Sequence, residues 1–164
     1  MRIYLVRHGE TDWNKARKVQ GSADIPLNEY GVYLAEETAK GLKDIEFDIA
    51  YTSPLIRAKK TAEVILAGRD IPLIEEPAIR EMDFGAYEGM CCSGEHRALE
   101  STDFNKFFTD TEHFVPAQGG ETVQELLERA GRFLETLFQN QELRDKNILL
   151  STHGAAMTAL LNCI

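Results

Sequence analysis

Four consecutive apolar residues, Ile3-Tyr4-Leu5-Val6, run straight into Arg7-His8-Gly9-Glu10-Thr11. A short unbroken apolar run stopped by a glycine predicts a strand buried on both faces, which belongs in a parallel sheet covered by helices. In an open parallel sheet, ligands sit at the C-terminal ends of the strands. This chain delivers a guanidinium, an imidazole and a glycine at that place. One histidine after a strand is also compatible with a plain polar turn, so the rest of the chain has to decide.

The remaining pattern alternates strand and helix. Residues 2–7 form the first predicted strand, and residues 8–26 read as a loop punctuated by Asp12-Trp13-Asn14 and Gly21. From Pro26 the spacing predicts a helix with Leu27, Tyr30, Leu34, Ala35, Thr38 and Leu42 on one face. Phe47 to Thr52 reads as the second strand. Ser53-Pro54 predicts a helix start, with Ser as N-cap and Pro in the first turn, running to about Ala67. Pro72 to Glu75 is a short third strand, and residues 78–89 are loop and turn. Residues 90–118 carry the weakest pattern and read as irregular helices crossing the sheet. Gly119-Gly120-Glu121-Thr122 opens an amphipathic helix with Val123, Leu126, Leu127, Ala130, Phe133, Leu134 and Leu137 as its stripe. Asn147 to Thr152 is a fourth strand, followed by His153-Gly154 and a last helix. This order predicts a three-layer α/β/α fold with a mainly parallel central sheet. With 164 residues and no repeat, low-complexity tract or linker, one domain over 1–164 is expected.

Charge narrows the partners. A net charge of −9 argues against nucleic acid and anionic membranes as ligands, so any bound anion must be held by a local cluster of cations. Cys91, Cys92 and Cys163 do not form a C-x-x-C motif and read as reduced thiols of a cytoplasmic protein. A zinc site from Cys91, Cys92, His96 and His113 matches none of the usual spacings. Arg7 and His8 interrupt any secretory leader, and no stretch reads as a membrane span.

Each predicted strand leads toward a candidate reactive residue: His8, Arg57, Glu81 and His153. Taken singly, Arg57 reads as a surface cation, Glu81 as a solvated carboxylate and His153 as a core-edge histidine. Together they suit phosphoryl transfer from a monoester, whose transition state spreads negative charge over the equatorial oxygens. Arg7 and Arg57 supply forks that match phosphate. Asn14 offers an amide donor. Gln20, Gly21 and Gly154 are further candidates for contact with the phosphate, the glycines through backbone N–H groups. His8 would be the nucleophile, kept neutral by the arginines, and Glu81 would protonate the leaving alkoxide and then activate water. His153 completes the candidate catalytic set with Arg7 and Arg57. No step needs a metal or another cofactor. Glu10 is expected to be structural and Trp13 a packing residue.

These stretches resemble the histidine phosphatase superfamily, the phosphoglycerate mutase-like proteins. The family's R-H-G-E-[ST] stands as Arg7 to Thr11, followed by Asn14. Its Ser-Pro-Leu-x-Arg-Ala-x-x-Thr-Ala signature is Ser53 to Ala62, and Glu81 to Gly89 matches Glu-x-x-Phe-Gly-x-x-Glu-Gly. Gly119 to Thr122 and His153-Gly154 complete the set. The resemblance implies a phosphoglycerate mutase-like fold, a phosphohistidine on His8, a phosphate pocket of Arg7, Arg57, His153 and Asn14, and Glu81 as acid and base. Family members usually continue some tens of residues beyond the His-Gly helix and add a strand. An end at Ile164 implies an uncovered sheet edge, with consequences for stability or oligomeric state.

The superfamily holds both phosphatases and mutases. Mutases resembling this chain have a longer, basic crossing segment and an Asn after His-Gly. Here residues 90–118 carry Arg97 and Lys106 against Glu95, Glu100, Asp103, Asp110 and Glu112, and Ala155 follows His153-Gly154. The expectation is therefore a phosphatase acting on a small phosphorylated metabolite, with specificity set in 90–118. A 2,3-bisphosphoglycerate-dependent phosphoglycerate mutase is the alternative. A catalytically silent phospho-ligand-binding module is a further one, disfavoured because no reactive residue is missing.

Overall fold

A computed structural model describes residues 1–92 and 103–164. Its sheet has four parallel strands: β1 (Arg2–Arg7), β2 (Ile49–Thr52), β3 (Leu73–Glu75) and β4 (Asn147–Thr152), in the order β1-β4-β2-β3. The last strand in the chain is thus inserted between the first two. That crossover brings the end of β4 between the ends of β1 and β2, and His8, His153 and Ser53 follow these strands directly. The register continues past the strands: His8 N–H donates to the Thr152 carbonyl at 3.0 Å, and Ser53 N–H to the Ser151 carbonyl at 3.0 Å.

Helices cover both faces. The helices are α1 (Asp12–Lys15), α2 (Glu29–Gly41), α3 (Ile56–Ile65), α4 (Lys106–Thr109), α5 (Val123–Gln139) and α6 (Gly154–Asn162). One face of the sheet, with Tyr4, Val6, Ala50 and Leu149, packs with Ile65, Leu66, Ala39 and Leu42 from α2, α3 and their ends. The other, with Ile3, Leu5, Ile49, Tyr51, Ile148 and Leu150, packs with Leu126, Phe133, Leu134, Ala156 and Leu160 from α5 and α6. The α5 stripe agrees with the sequence expectation at Leu126, Ala130, Phe133, Leu134 and Leu137, all buried.

Three local expectations need correction. Ile3 to Val6 are half-buried, because β1 lies at an edge of the sheet among the described residues; the strand buried along its length is β4. Helix α2 begins at Glu29 behind an Asn28 cap, and it buries Gly31 and Ala35 while Tyr30 is 55% exposed. Helix α3 starts at Ile56, not behind Ser53. The Ser53 hydroxyl accepts a 3.2 Å bond from Leu55 N–H and also contacts His153, which draws it away from the helix.

Candidate active site

Strand β1 ends in His8, and the chain then turns at Gly9. A Cβ on Gly9 would overlap the Gly31 carbonyl, and one on Gly31 would overlap the Glu10 carbonyl. Two bare backbones therefore meet where α2 passes the turn, and only glycine permits it. The turn points the Gly9 carbonyl at His8 Nδ1, 2.6 Å away. A carbonyl only accepts, so Nδ1 carries the proton and Nε2 keeps its lone pair.

Arg57, in the first turn of α3, has no exposed surface and spends its fork in three directions. Nη2 donates to the Gly21 carbonyl and Nη1 to the Ala23 carbonyl, each at 2.7 Å, and Nε donates to His8 Nε2 at 3.3 Å. Burial, foremost, lowers the His8 pKa to about 3; the Gly9 carbonyl opposes that, and Arg57 and Arg7 add to it. His8 is thus neutral near pH 7. Burial also lowers the Arg57 pKa from its usual value, opposed by Glu81, Asp24 and Glu88.

His153 has no exposed surface, and its ring centre lies 5.0 Å from that of His8. Its Nε2 is 2.7 Å from Ser53 Oγ. That hydroxyl has no other acceptor among the described residues, so it donates to Nε2 and leaves the proton on Nδ1. Nδ1 is buried with no hydrogen-bond partner. Burial first, then Arg57, His8, Arg129 and Arg7, hold the His153 pKa well below the usual histidine value. A buried N–H donor with nothing to donate to is costly unless a ligand supplies an acceptor.

Glu81 sits at the start of α6. Its Oε1 accepts from Met82 N–H and Ala156 N–H, each at 3.0 Å, and Oε2 from Ala155 N–H at 3.2 Å. The first N–H groups of α6, left without partners inside the helix, thus hold the carboxyl group of Glu81 in place. Arg7 is exposed, makes no hydrogen bond or ion pair among the described residues, and lies over Gly154. Asn14 spends its Oδ1 on the Thr11 N–H at 3.1 Å, which leaves its Nδ2 donor as the end available to a ligand.

One cavity of about 850 Å³ joins these groups: Arg7, His8, Asn14, Gln20, Gly21, Arg57, Glu81 and Gly154 line it, with Lys18 at its edge. Phe84, Phe104, Phe107 and Leu126 form an apolar wall. His153 does not line it and stands just behind His8. Two expectations change in detail. Gly21 offers its carbonyl to Arg57, and its N–H makes no hydrogen bond among the described residues; Gln20 is buried, with Oε1 accepting from the Thr11 hydroxyl at 2.9 Å. Of the residues of the zinc alternative, His113 pairs with Asp110 and His96 lies outside the described residues; among the described residues no group of three His, Cys, Asp or Glu is placed to hold a metal ion. Glu10 accepts from the Asn28 amide at 2.9 Å, and Trp13 packs beside Gly89 under Lys18, so both fill structural places. Among the described residues no helix is long and apolar enough to cross a membrane.

The sequence reading missed Glu88. Its carboxylate accepts from Ser22 and Ala23 N–H at 2.6 and 2.9 Å and from Phe84 N–H at 3.1 Å, which holds the loop whose carbonyls orient Arg57. Its signal is the Glu-Gly pair of residues 88 and 89, which by local spacing reads as a turn.

Known proteins are similar to this chain in sequence and fold. The chain is 42% identical over 159 residues to "Uncharacterized phosphatase PhoE" of Bacillus subtilis, covering 97% of this chain and 75% of that protein. It is 35% identical over 164 residues to the adenosylcobalamin/alpha-ribazole phosphatase of Salmonella typhimurium, covering 98% and 78%. Proteins named as probable phosphoglycerate mutases align as well. Bacillus stearothermophilus YhfR superposes with a TM-score of 0.87 at 32% identity, over 97% of this chain and 77% of that one. The model of the histidine phosphatase superfamily, branch 1, matches residues 3–164, and this chain belongs to that family.

Proposed function

We propose that this protein is a metal-independent phosphomonoesterase that works through a phosphohistidine on His8. The observation that carries the reading is the state of His8: Nδ1–H is tied to the Gly9 carbonyl, and Nε2 is an unprotonated lone pair inside a ring of cations. An imidazole in that state is a nucleophile at neutral pH. Arg57 first exchanges His8 for a phosphoryl oxygen. Nε2 then attacks phosphorus as the P–O bond to the alcohol breaks, and the alkoxide takes a proton from Glu81. In the second half-reaction Glu81 takes a proton from water, whose oxygen attacks phosphorus as the P–N bond breaks. Arg7, Arg57, Asn14 and the unpartnered Nδ1–H of His153 supply the positive potential and donors for the transferring group. The Gly9 carbonyl supports the imidazole while it carries the phosphoryl group.

The substrate class that fits is a small phosphorylated metabolite, as the names of the phosphatase relatives suggest. The acidic side chains Asp110 and Glu112 in the crossing segment, and Ala155 where mutases resembling this chain carry Asn, favour hydrolysis over mutase activity. The reading takes residues 1–164 as one catalytic domain with 90–118 setting specificity.

The test is turnover of a panel of phosphomonoesters with and without EDTA. Activity is expected to survive chelation, and His8→Ala is expected to reduce it to near background with every substrate. Acid-labile, base-stable labelling of the wild type, absent from His8→Ala, identifies the intermediate. Loss of turnover in EDTA restored by magnesium or zinc would sink the metal-free mechanism. Faster interconversion of 3- and 2-phosphoglycerate than hydrolysis of any monoester would replace it with the mutase.

A further inference from the structure

Glu81 is held from two sides, and only one of them is the cavity. Its carboxylate rests on the N–H groups of α6, but its backbone belongs to a loop with no strand pairing. That loop is tied to α5. Arg129 donates to the Ala78 carbonyl through Nη1 at 2.7 Å and to the Glu81 carbonyl through Nη2 at 3.2 Å. The same guanidinium grips Glu121 with both arms, Nε to Oε1 at 2.6 Å and Nη2 to Oε2 at 2.9 Å. Glu121 completes the tie from just before α5: its N–H donates to the Asp83 carbonyl at 2.8 Å, and its Oε2 accepts from Asp83 N–H at 3.3 Å. Both side chains are largely buried, at 15% and 13% exposure.

A forked ion pair that fastens Ala78, Glu81 and Asp83 together does more than join a loop to a helix. The two carboxylate oxygens of Glu81 take their bonds from Met82, Ala155 and Ala156, so they keep their place only while the loop stays in register with α6. Neither Arg129 nor Glu121 lines the cavity. Arg is suited to it and Lys is not, because one planar fork here serves two carbonyls and a carboxylate at once.

We propose that the Arg129–Glu121 pair is a positioning clamp that sets the Glu81 carboxylate against the leaving group at His8. The proposal rests on Glu81 being the general acid. A clamp that acts through Glu81 has a signature that a purely structural ion pair lacks. Up to departure of the alcohol, its loss harms only the proton transfer to the leaving group, and it harms nothing further there once Glu81 cannot give that proton.

The experiment measures kcat and KM on a simple alkyl phosphate and on p-nitrophenyl phosphate for the wild type, Glu81→Gln, Arg129→Lys, Glu121→Gln and the double variant Glu81→Gln/Arg129→Lys. Folding is checked by circular dichroism and melting. Since a misplacement of about 1 Å can cost ~10²-fold, Arg129→Lys is expected to lower kcat/KM, which reads only the steps up to departure of the alcohol, roughly 10-fold or more further on the alkyl phosphate than on the nitrophenyl ester. In the double variant the extra loss disappears, as expected for residues acting as a unit. Should Arg129→Lys fail to fold, Glu121→Gln, which keeps the shape and leaves Arg129 on its carbonyls, carries the same comparison. Equal losses on both esters, or full additivity in the double variant, would overturn the clamp. Glu81→Gln losing activity equally on both esters would instead overturn the acid assignment beneath it.

Discussion

In the free protein the lone pair of His8 that attacks phosphorus in the proposed mechanism is already occupied by Arg57 Nε. This contact is self-limiting. A phosphoryl oxygen is a far better acceptor for a guanidinium than a neutral imidazole, so substrate binding frees the nucleophile in the act of engaging its cation. Arg57 remains aimed during that exchange because the Gly21 and Ala23 carbonyls hold its other arms. Arg57→Lys preserves the charge and loses the fork. Removing one preorganised donor typically costs ~10²–10³-fold in kcat, and steady-state kinetics on a nitrophenyl ester should show a loss of that order despite the retained charge. Ser53 poses a second residue-scale question. If its hydroxyl fixes the His153 tautomer, Ser53→Ala lets the proton move to Nε2 and removes the Nδ1–H donor. Nitrogen-15 shifts should then change from a single Nδ1–H form to a mixture, with kcat falling and the fold intact. An unchanged tautomer in Ser53→Ala would dismiss this role.

At the scale of elements, the site is a consequence of strand order. Inserting β4 between β1 and β2 places His153 beside His8 and opposite Ser53, although these residues are far apart in the chain. The crossing of Gly9 and Gly31 then seats α2 against the catalytic turn. Gly31→Ala puts a methyl into the Glu10 carbonyl, and overpacking of this kind costs roughly 1–3 kcal/mol. Because Gly9 O is the His8 partner, kcat should fall as well. Urea midpoints and kinetics on the same variant check both, and a variant that loses neither would refute the close packing. This element also shows what sequence could and could not reveal. The strands, and the reactive residues that follow them, were readable because apolar runs and a cation–imidazole–glycine ending need no partner to be recognised. The buried face of α2 was misread at Tyr30, since hydrophobic periodicity is blind to a glycine buried by backbone contact. Glu88, Glu121 and Arg129 were not assigned roles because their partners are backbone groups on distant loops, which no local spacing encodes. Ser53 looked like a helix cap because its bond to His153 depends on the strand order.

For the whole molecule, burying two neutral histidines beside arginines makes stability depend on pH. In the unfolded chain each histidine titrates near the usual value of about 6.5. In the folded protein His8 titrates at about 3 and His153 well below its usual value. Between those limits the unfolded chain binds protons that the native state refuses, so unfolding gains free energy as pH falls. The sign follows directly: the contribution is complete above about pH 6.5 and is lost progressively as pH falls toward the folded values. Each histidine contributes a slope of about 1.4 kcal/mol per pH unit. His8 alone removes roughly 2 kcal/mol by pH 5, a sizeable share of the ~5–15 kcal/mol that holds a typical domain, and His153 acts in the same direction. The lowered carboxyl groups of Asp48 and Glu125 act at lower pH, below their unfolded values, and so leave this window to the histidines. Urea unfolding of wild type and His8→Asn at pH 7, 6 and 5 separates the contributions. The wild type should lose stability steeply on acidification, and the variant less steeply, because Asn carries no titrating proton in either state. Parallel curves for the two proteins would mean that His8 is not buried neutral, and the nucleophile proposed above would lose its physical basis.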